Sequence, residues 1–231
     1  MLNFNDFLDN EEAINEGVYD KNIFKAFFLA GGPGSGKSWV SARTLMGQGM
    51  KVINSDDGFE NYAKKVGLEL KMTNMSAFQT KQKNFLRTRA KRGTMSMHQH
   101  AIDGRLGMIM DSTARDTARI EAEAQSMRYL GYDTYMVFVN TTLEVALKRN
   151  ELRPRSVPEP IVINSHRQIQ KNIPKLRAIF GSKNFVEVDN SVEAEDVNIK
   201  VYKEIQKLVR SKPSSPMAQA WINNELAKKR R

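Results

Sequence analysis

The stretch KAFFLAGGPGSGKSWVSARTLM, Lys25 to Met46, decides the fold. Inside it GGPGSGKS matches G-x-x-x-x-G-K-[S/T], with Gly31, Gly36, Lys37 and Ser38 at the defining positions. KAFFLA reads as a buried strand, and Trp39, Val40, Ala42, Leu45 and Met46 as the apolar side of a following helix. The spacing has a physical basis. Glycines let the backbone curl so that successive N–H groups point inward at a phosphate, and the helix N-terminus adds partial positive charge. This predicts a nucleoside triphosphate, ATP with Mg²⁺, contacted by Gly31, Gly32, Pro33, Gly34, Ser35, Gly36, Lys37 and Ser38. Lys37 reaches the terminal phosphates, and the Ser38 hydroxyl is a Mg²⁺ ligand.

Working outward, four more short apolar runs alternate with helical stretches: KVIN (Lys51 to Asn54), LGMIMD (Leu106 to Asp111), TYMVFVN (Thr134 to Asn140) and NFVEVD (Asn184 to Asp189). Alternation of this kind predicts an α/β domain with a parallel sheet covered on both faces. Arg115 to Leu130 reads as a helix with Ala118, Ala122, Met127 and Leu130 on one side, stopped by Gly131. Thr141 and Glu144 have capping-box spacing. Ala77 to Ile102 is too long for a simple crossover and predicts one or two helices forming a substrate-side lobe. Ser215 and Pro216 read as the cap and first residue of a tail helix whose Trp221, Ile222 and Leu226 fall at helical spacing. That helix packs on its own domain or offers a face to a protein partner.

The 231 residues carry 36 Lys and Arg against 26 Asp and Glu, a net charge of +10, and no cysteine. Disulfides and thiolate metal sites are excluded, in keeping with the cytoplasm. No apolar run is long enough to cross a bilayer. Charge is unevenly spread. Asp6, Asp9, Glu11, Glu12, Glu16 and Asp20 make residues 1–20 acidic, while Lys81, Lys83, Arg87, Arg89, Lys91 and Arg92 form a basic cluster. Such clusters attract phosphate-bearing partners, nucleic acid included, although solvated helix faces carry similar charge.

The chemistry-bearing residues sit just past strand ends, where ligands bind in open α/β sheets. KVINSDD places Asp56 there, able to accept the proton of an attacking hydroxyl; Asp57 offers the same group, and helix capping is the structural use of either. MIMDSTARD sets Asp111 for Mg²⁺ or substrate, with Thr113 and Arg115 as further substrate contacts. Arg149, Arg153 and Arg155 flank Pro154 and could close over a triphosphate, Arg149 and Arg153 sharing a face if their helix reaches that far. No Asn-Lys-x-Asp base-reading motif supports a GTPase, and no Glu follows Asp111 as in many hydrolytic ATPases. His98 and His100 lack the companions of a four-ligand metal set.

Together GGPGSGKS, INSDD, MIMDSTARD, GYDTYMVFVNTTLEVALKRNELRPR and VPEPIVINSHRQIQKNIPKL resemble the zeta-toxin and polynucleotide-kinase branch of the P-loop kinases, over about Lys25 to Asn190. The phrasing is similar to zeta-toxin-like kinases of tailed bacteriophages. The resemblance implies a three-layer sandwich around a five-stranded parallel sheet with the phosphate-loop strand at its centre. It implies ATP as donor, Asp56 as base, Lys37 and Ser38 on phosphate and Mg²⁺, and lid arginines among Arg149, Arg153 and Arg155. The third strand departs from the toxin pattern, which has Glu where Asp111 stands, at a position that grips a nucleotide-sugar.

The expected division is an acidic segment at 1–20, a kinase-like domain at 21–212 with a helical insertion at 77–103, and a basic helix at 213–231. Expected function is transfer of the γ-phosphate of ATP to a hydroxyl of a small molecule such as a nucleotide-sugar. The alternatives are a kinase of nucleic-acid 5′-hydroxyls and a non-catalytic ATP-binding module of a larger assembly.

Overall fold

A computed structural model describes residues 18–45, 48–69, 75–153, 156–192 and 195–230. Most of the acidic N-terminal segment, Met46 and Arg155 lie outside these residues.

Five strands form one parallel sheet: β1 (Lys25–Ala30), β2 (Lys51–Ile53), β3 (Met108–Ser112), β4 (Asp133–Asn140) and β5 (Phe185–Asp189), in the order β2-β3-β1-β4-β5. All five coincide with the apolar runs, and β1 is central as expected. Every residue of β1 is buried. Phe27 and Leu29 enter one core with Val40 of α1 (Lys37–Thr44) and Ile205 of α7 (Glu195–Arg210). Ala26, Phe28 and Ala30 enter the other, with Ile120, Leu176 and Ala218. These belong to α4 (Thr117–Tyr129), α6 (Glu159–Phe180) and α8 (Pro216–Lys229). Helices on both faces make the three-layer sandwich.

Some helices follow their sequence reading and others differ from it. Residues 77–103 form a single helix, α3 (Ala77–Asp103), opened by a capping box between Ser76 and Gln79. It packs as a hairpin on α2 (Ser55–Lys65) through a separate small core of Phe59, Ala63, Leu68, Leu86 and Ala90. α4 starts two residues later than expected because Asp116 caps it, accepting from Arg119 N at 3.0 Å. Its buried side is Ile120, Ala124 and Met127, whereas Ala118 and Ala122 are exposed: the larger side chains choose the face. α5 (Leu143–Glu151) is capped by Thr142, which accepts from Val145 N, and not by Thr141, whose hydroxyl is buried without a partner among the described residues and whose carbonyl meets His166 Nε2 at 2.9 Å. α8 begins at Pro216 after Ser215, which makes no side-chain cap bond, and Trp221 packs edge-on to Phe24. The tail helix therefore lies on its own domain.

The amino ends of β1 and β4 hold an ion pair that fixes that tail. Lys25 is fully buried, and its ammonium donates to Asp133 at 2.7 Å, Ser211 Oγ at 3.0 Å and the Tyr135 hydroxyl at 3.2 Å. Asp133 also accepts from the Ser214 backbone N–H and hydroxyl, just before α8. Removing one partner of a buried pair strands the other charge. Asp133→Ala strands the fully buried Lys25 ammonium and should cost about 3–5 kcal/mol of stability, read from urea midpoints; Lys25→Met should cost markedly less, because Asp133 reaches solvent and keeps its Ser214 donors. Equal losses would show that the pair's charge is not what matters.

Candidate functional site

The phosphate loop is shaped by glycines with no substitute. Gly34 has φ 76°, and a Cβ there would collide with the Ala146 carbonyl of α5. Gly36 has φ 84° and would meet the Asn190 side chain. Gly36 is also the N-cap of α1, and no side chain caps that helix. Its first-turn N–H groups are left for an anion, and no acidic residue stands in that turn. Lys37 bends back so that Nζ donates to the Gly31 carbonyl at 2.9 Å, spanning the mouth of the loop. Burial holds its ammonium below the usual lysine value; Asp111 and Asp56 oppose this and Arg153 reinforces it. Ser38 is exposed in the same turn.

Beside the loop a cleft of about 500 Å³ opens between the ends of β2 and β3, α3 and α4. Lys37, Asp56 and Asp111 line it together. Asp111 neighbours Leu29 in the sheet, one strand over from the loop. Loss of water raises its carboxyl above the usual range; Lys37 opposes this, and Asp56 and Asp57 add to it. Asp56 does not cap α2. Asn54 does, accepting from Asp56 N at 2.9 Å, which leaves the Asp56 carboxylate free of that duty. Asp57 is not among the cleft-lining residues; its own desolvation, with Glu60 and Asp56 nearby, raises its carboxyl.

Thr113 lines the cleft, but Arg115 does not: it is exposed, and its carbonyl accepts from Asn172 at 2.9 Å. Arg149 reaches the loop, donating from Nη1 to the Asn190 carbonyl at 2.7 Å, close to Gly36. α5 ends at Glu151, so Arg153 lies beyond it on an exposed turn and does not share the Arg149 face. Asn150 pins the base of that segment, exchanging side-chain bonds with Val157 at 2.8 and 3.1 Å.

Sequence reading missed several residues of the site. Asn190 is buried and donates from Nδ2 to the Ser35 carbonyl at 2.8 Å, 155 positions away; no local pattern announces it. The cleft is also lined by Thr94, His98, Asp116, Arg119 and Glu123. Arg119 pairs with Glu123 at 2.8 Å. His98 Nε2 is buried with no hydrogen-bond partner among the described residues, and burial holds the ring below its usual pKa against the pull of Glu123. Asn54 was legible as a cap type two positions before Asp56. No group of three or more His, Cys, Asp or Glu side chains suited to a metal ion occurs among the described residues. Nor is any described helix long and apolar enough to cross a membrane.

The architecture is similar to solved structures, of which two illustrate the likeness. One comes from the PezAT chromosomal toxin–antitoxin system of Streptococcus pneumoniae, at 16% identity, covering 97% of this chain and 96% of that one, with a TM-score of 0.53. The other is AvrRxo1-ORF1:AvrRxo1-ORF2 with ATP, at 16% identity, covering 86% of this chain and 70% of that one, with a TM-score of 0.51. At that identity the likeness speaks for the fold. No curated protein matches the sequence. The zeta toxin profile matches residues 16–212, the span that holds the phosphate loop, the cleft and the whole sheet, and the chain belongs to the zeta toxin family, with a P-loop kinase-like fold.

Proposed function

We propose that the protein is an ATP-dependent phosphotransferase that moves the γ-phosphate to a hydroxyl of an acceptor held in the cleft. One observation carries this reading: Lys37 of the phosphate loop, Asp56 and Asp111 open onto the same 500 Å³ space. A binding module has no need of a carboxylate facing a phosphate-binding lysine across an open cleft.

Asp56 takes the proton of the acceptor hydroxyl as that oxygen bonds to the γ-phosphorus. The bond from phosphorus to the bridging oxygen breaks, and ADP leaves with the electron pair. Lys37 and the first-turn amides of α1 neutralise charge on the phosphates, while Arg149 and Arg153 guard the loop from the far side. The hard oxygens of Ser38 and Asp111 suit Mg²⁺, which would neutralise phosphate charge when bound. Arg155 and Arg115 keep weaker places in this scheme, as lid and rim residues.

Charge constrains the acceptor. Four carboxylates line the cleft, Asp56, Asp111, Asp116 and Glu123, against Lys37 and an Arg119 already paired. The hydroxyl-bearing end is therefore uncharged, and any phosphates of the acceptor stay outside. The sugar end of a nucleotide-sugar meets this condition, and so does the 5′-terminal nucleoside of a nucleic acid. We assign the catalytic domain to residues 21–212, place the protein beside the zeta-toxin-like kinases of tailed bacteriophages, and assign it to the host cytoplasm. Incubation with labelled ATP and nucleotide-sugars, 5′-hydroxyl oligonucleotides or no acceptor tests the reading. ATP bound with no transfer to any acceptor would leave only a binding module.

Lys37→Ala should abolish transfer while leaving the fold intact by circular dichroism, since Lys37 acts on phosphate charge and braces only the loop. Full turnover in the folded variant would refute the role of the loop.

Asp56→Asn should keep ATP affinity and lower transfer by roughly 10²–10⁴, the contribution of a positioned general base. Because Asn54 supplies the cap, stability should hold, so a loss of transfer cannot be ascribed to unfolding. Unchanged substrate-dependent ADP release would move the base elsewhere.

Arg153→Ala should reduce kcat more than ATP affinity, as expected of a charge that matters in the transition state. A purely structural role would lower stability and affinity together and leave kcat alone.

A further inference from the structure

The solvent side of α3 carries a pattern that the phosphotransfer chemistry does not use. From Ser76 to Ile102 there is no acidic residue, while Lys81, Lys83, Arg87, Arg89, Lys91 and Arg92 supply six cations. None of the six has a carboxylate partner within ion-pair distance among the described residues. Two are occupied otherwise: Arg87 lies 5.0 Å over the Phe59 ring and Arg89 5.4 Å over the Tyr62 ring, bracing the hairpin. Phe78 is 75% exposed, Phe85 64% and Met95 71%. Solvating large apolar side chains singly is ordinary; here they are in line.

Phe78, Lys81, Phe85, Thr88, Arg92 and Met95 follow one another at intervals of three and four residues, which keeps them on one side of a helix. That side lies opposite Leu86, Ala90 and Ala101, the residues α3 buries. The stripe spans about 26 Å at the rise of an α-helix. It ends at Met95, which lines the acceptor cleft.

Exposed aromatic rings alternating with unpaired cations fit one class of polymer. Single-stranded nucleic acid offers a flat π-face at every base and a phosphate at every step, so rings stack bases while cations follow the backbone. We propose that this face of α3 is a docking track for single-stranded nucleic acid, with bases on Phe78 and Phe85, phosphates on Lys81 and Arg92, and one strand end directed to the cleft at Met95. The track stands independently of the phosphotransferase reading, because it requires neither ATP nor Asp56. A second copy of the chain packing along the stripe, or an acidic protein, is the competing occupant; the concentration of unpaired positive charge favours the polyanion over a copy that carries the same charge.

The test is fluorescence anisotropy with a labelled oligothymidine of about sixteen nucleotides, the upper site size of a single-strand-binding module. It is run across a salt series on the full chain. Wild type should bind at low salt. Phe78→Ala and Phe85→Ala should each weaken binding about tenfold, in keeping with loss of one stacked base. Lys81→Gln with Arg92→Gln should lower the slope of log affinity against log salt by about 1.4. These side chains are exposed, so unchanged melting curves separate lost binding from lost folding. Lys37→Ala should bind the oligonucleotide like wild type even with transfer abolished, which distinguishes failure of the track from failure of the kinase. Absence of binding by wild type at low salt, or binding indifferent to all four substitutions, overturns the proposal. So does sedimentation showing a dimer that Phe85→Ala dissociates while oligonucleotide binding is unaltered.

Discussion

A phosphate cradle has to keep its amide N–H groups pointed inward and unpaired before any phosphate arrives, and backbone left in that condition would normally relax to pair its donors elsewhere. Asn190 is what prevents it here. Its own N–H donates to the Asn140 carbonyl at 2.9 Å, tying the end of β5 to the end of β4. Its side-chain amide holds the Ser35 carbonyl from outside the loop, and its carbonyl accepts from Arg149. One buried residue thus joins two strands, the loop and α5. Lys37 spans the mouth of the cradle to Gly31, so the curled shape exists without ligand. Preorganisation of this kind would spare a bound phosphate group the cost of ordering the loop.

The same division of labour holds across the sheet. At the amino ends of the strands, Asp133, Tyr135 and Ser211 form a polar network around the buried Lys25 ammonium, and Ser214 ties the approach to α8 onto it. At the carboxyl ends the groups are less enclosed: Ser38, Asp56, Thr113 and Arg153 are exposed around the cleft. A rigid end and an open end are what a parallel sheet provides when helices cover both faces.

What the sequence made legible follows from how local each constraint is. The strands were readable because a strand covered on both faces must be apolar at nearly every position, and the loop because its spacing is set by phosphate geometry. Helix boundaries were harder, since Asp116 and Thr142 cap where a neighbouring residue looked equally able. The face of α4 went to Ile120 and Met127 over Ala118 and Ala122, a choice made by the core and not by period alone. Asn190 was invisible because its partner is set by a chain crossing: Ser35 lies 155 positions away, and no spacing rule reaches that far. His98 and Glu123 could be seen as residues but not as cleft neighbours until α3 and α4 were packed side by side.

Charge then separates two surfaces that meet at Met95. Inside the cleft carboxylates outnumber cations: Asp56, Asp111, Asp116 and Glu123 stand against Lys37 and Arg119. An acceptor bearing phosphate at its reacting end would place like charges together in a space partly closed to water, where repulsion is least screened. Outside, α3 presents cations with no carboxylate on the same helix before Asp103. A molecule with a neutral hydroxyl end and phosphates behind it satisfies both surfaces in one orientation only. Reversing it would put phosphate against Asp56 and Asp111 and leave the basic face unpaired. In the proposed reaction the charge step between cleft and helix would set the polarity of acceptor binding before any specific contact is counted.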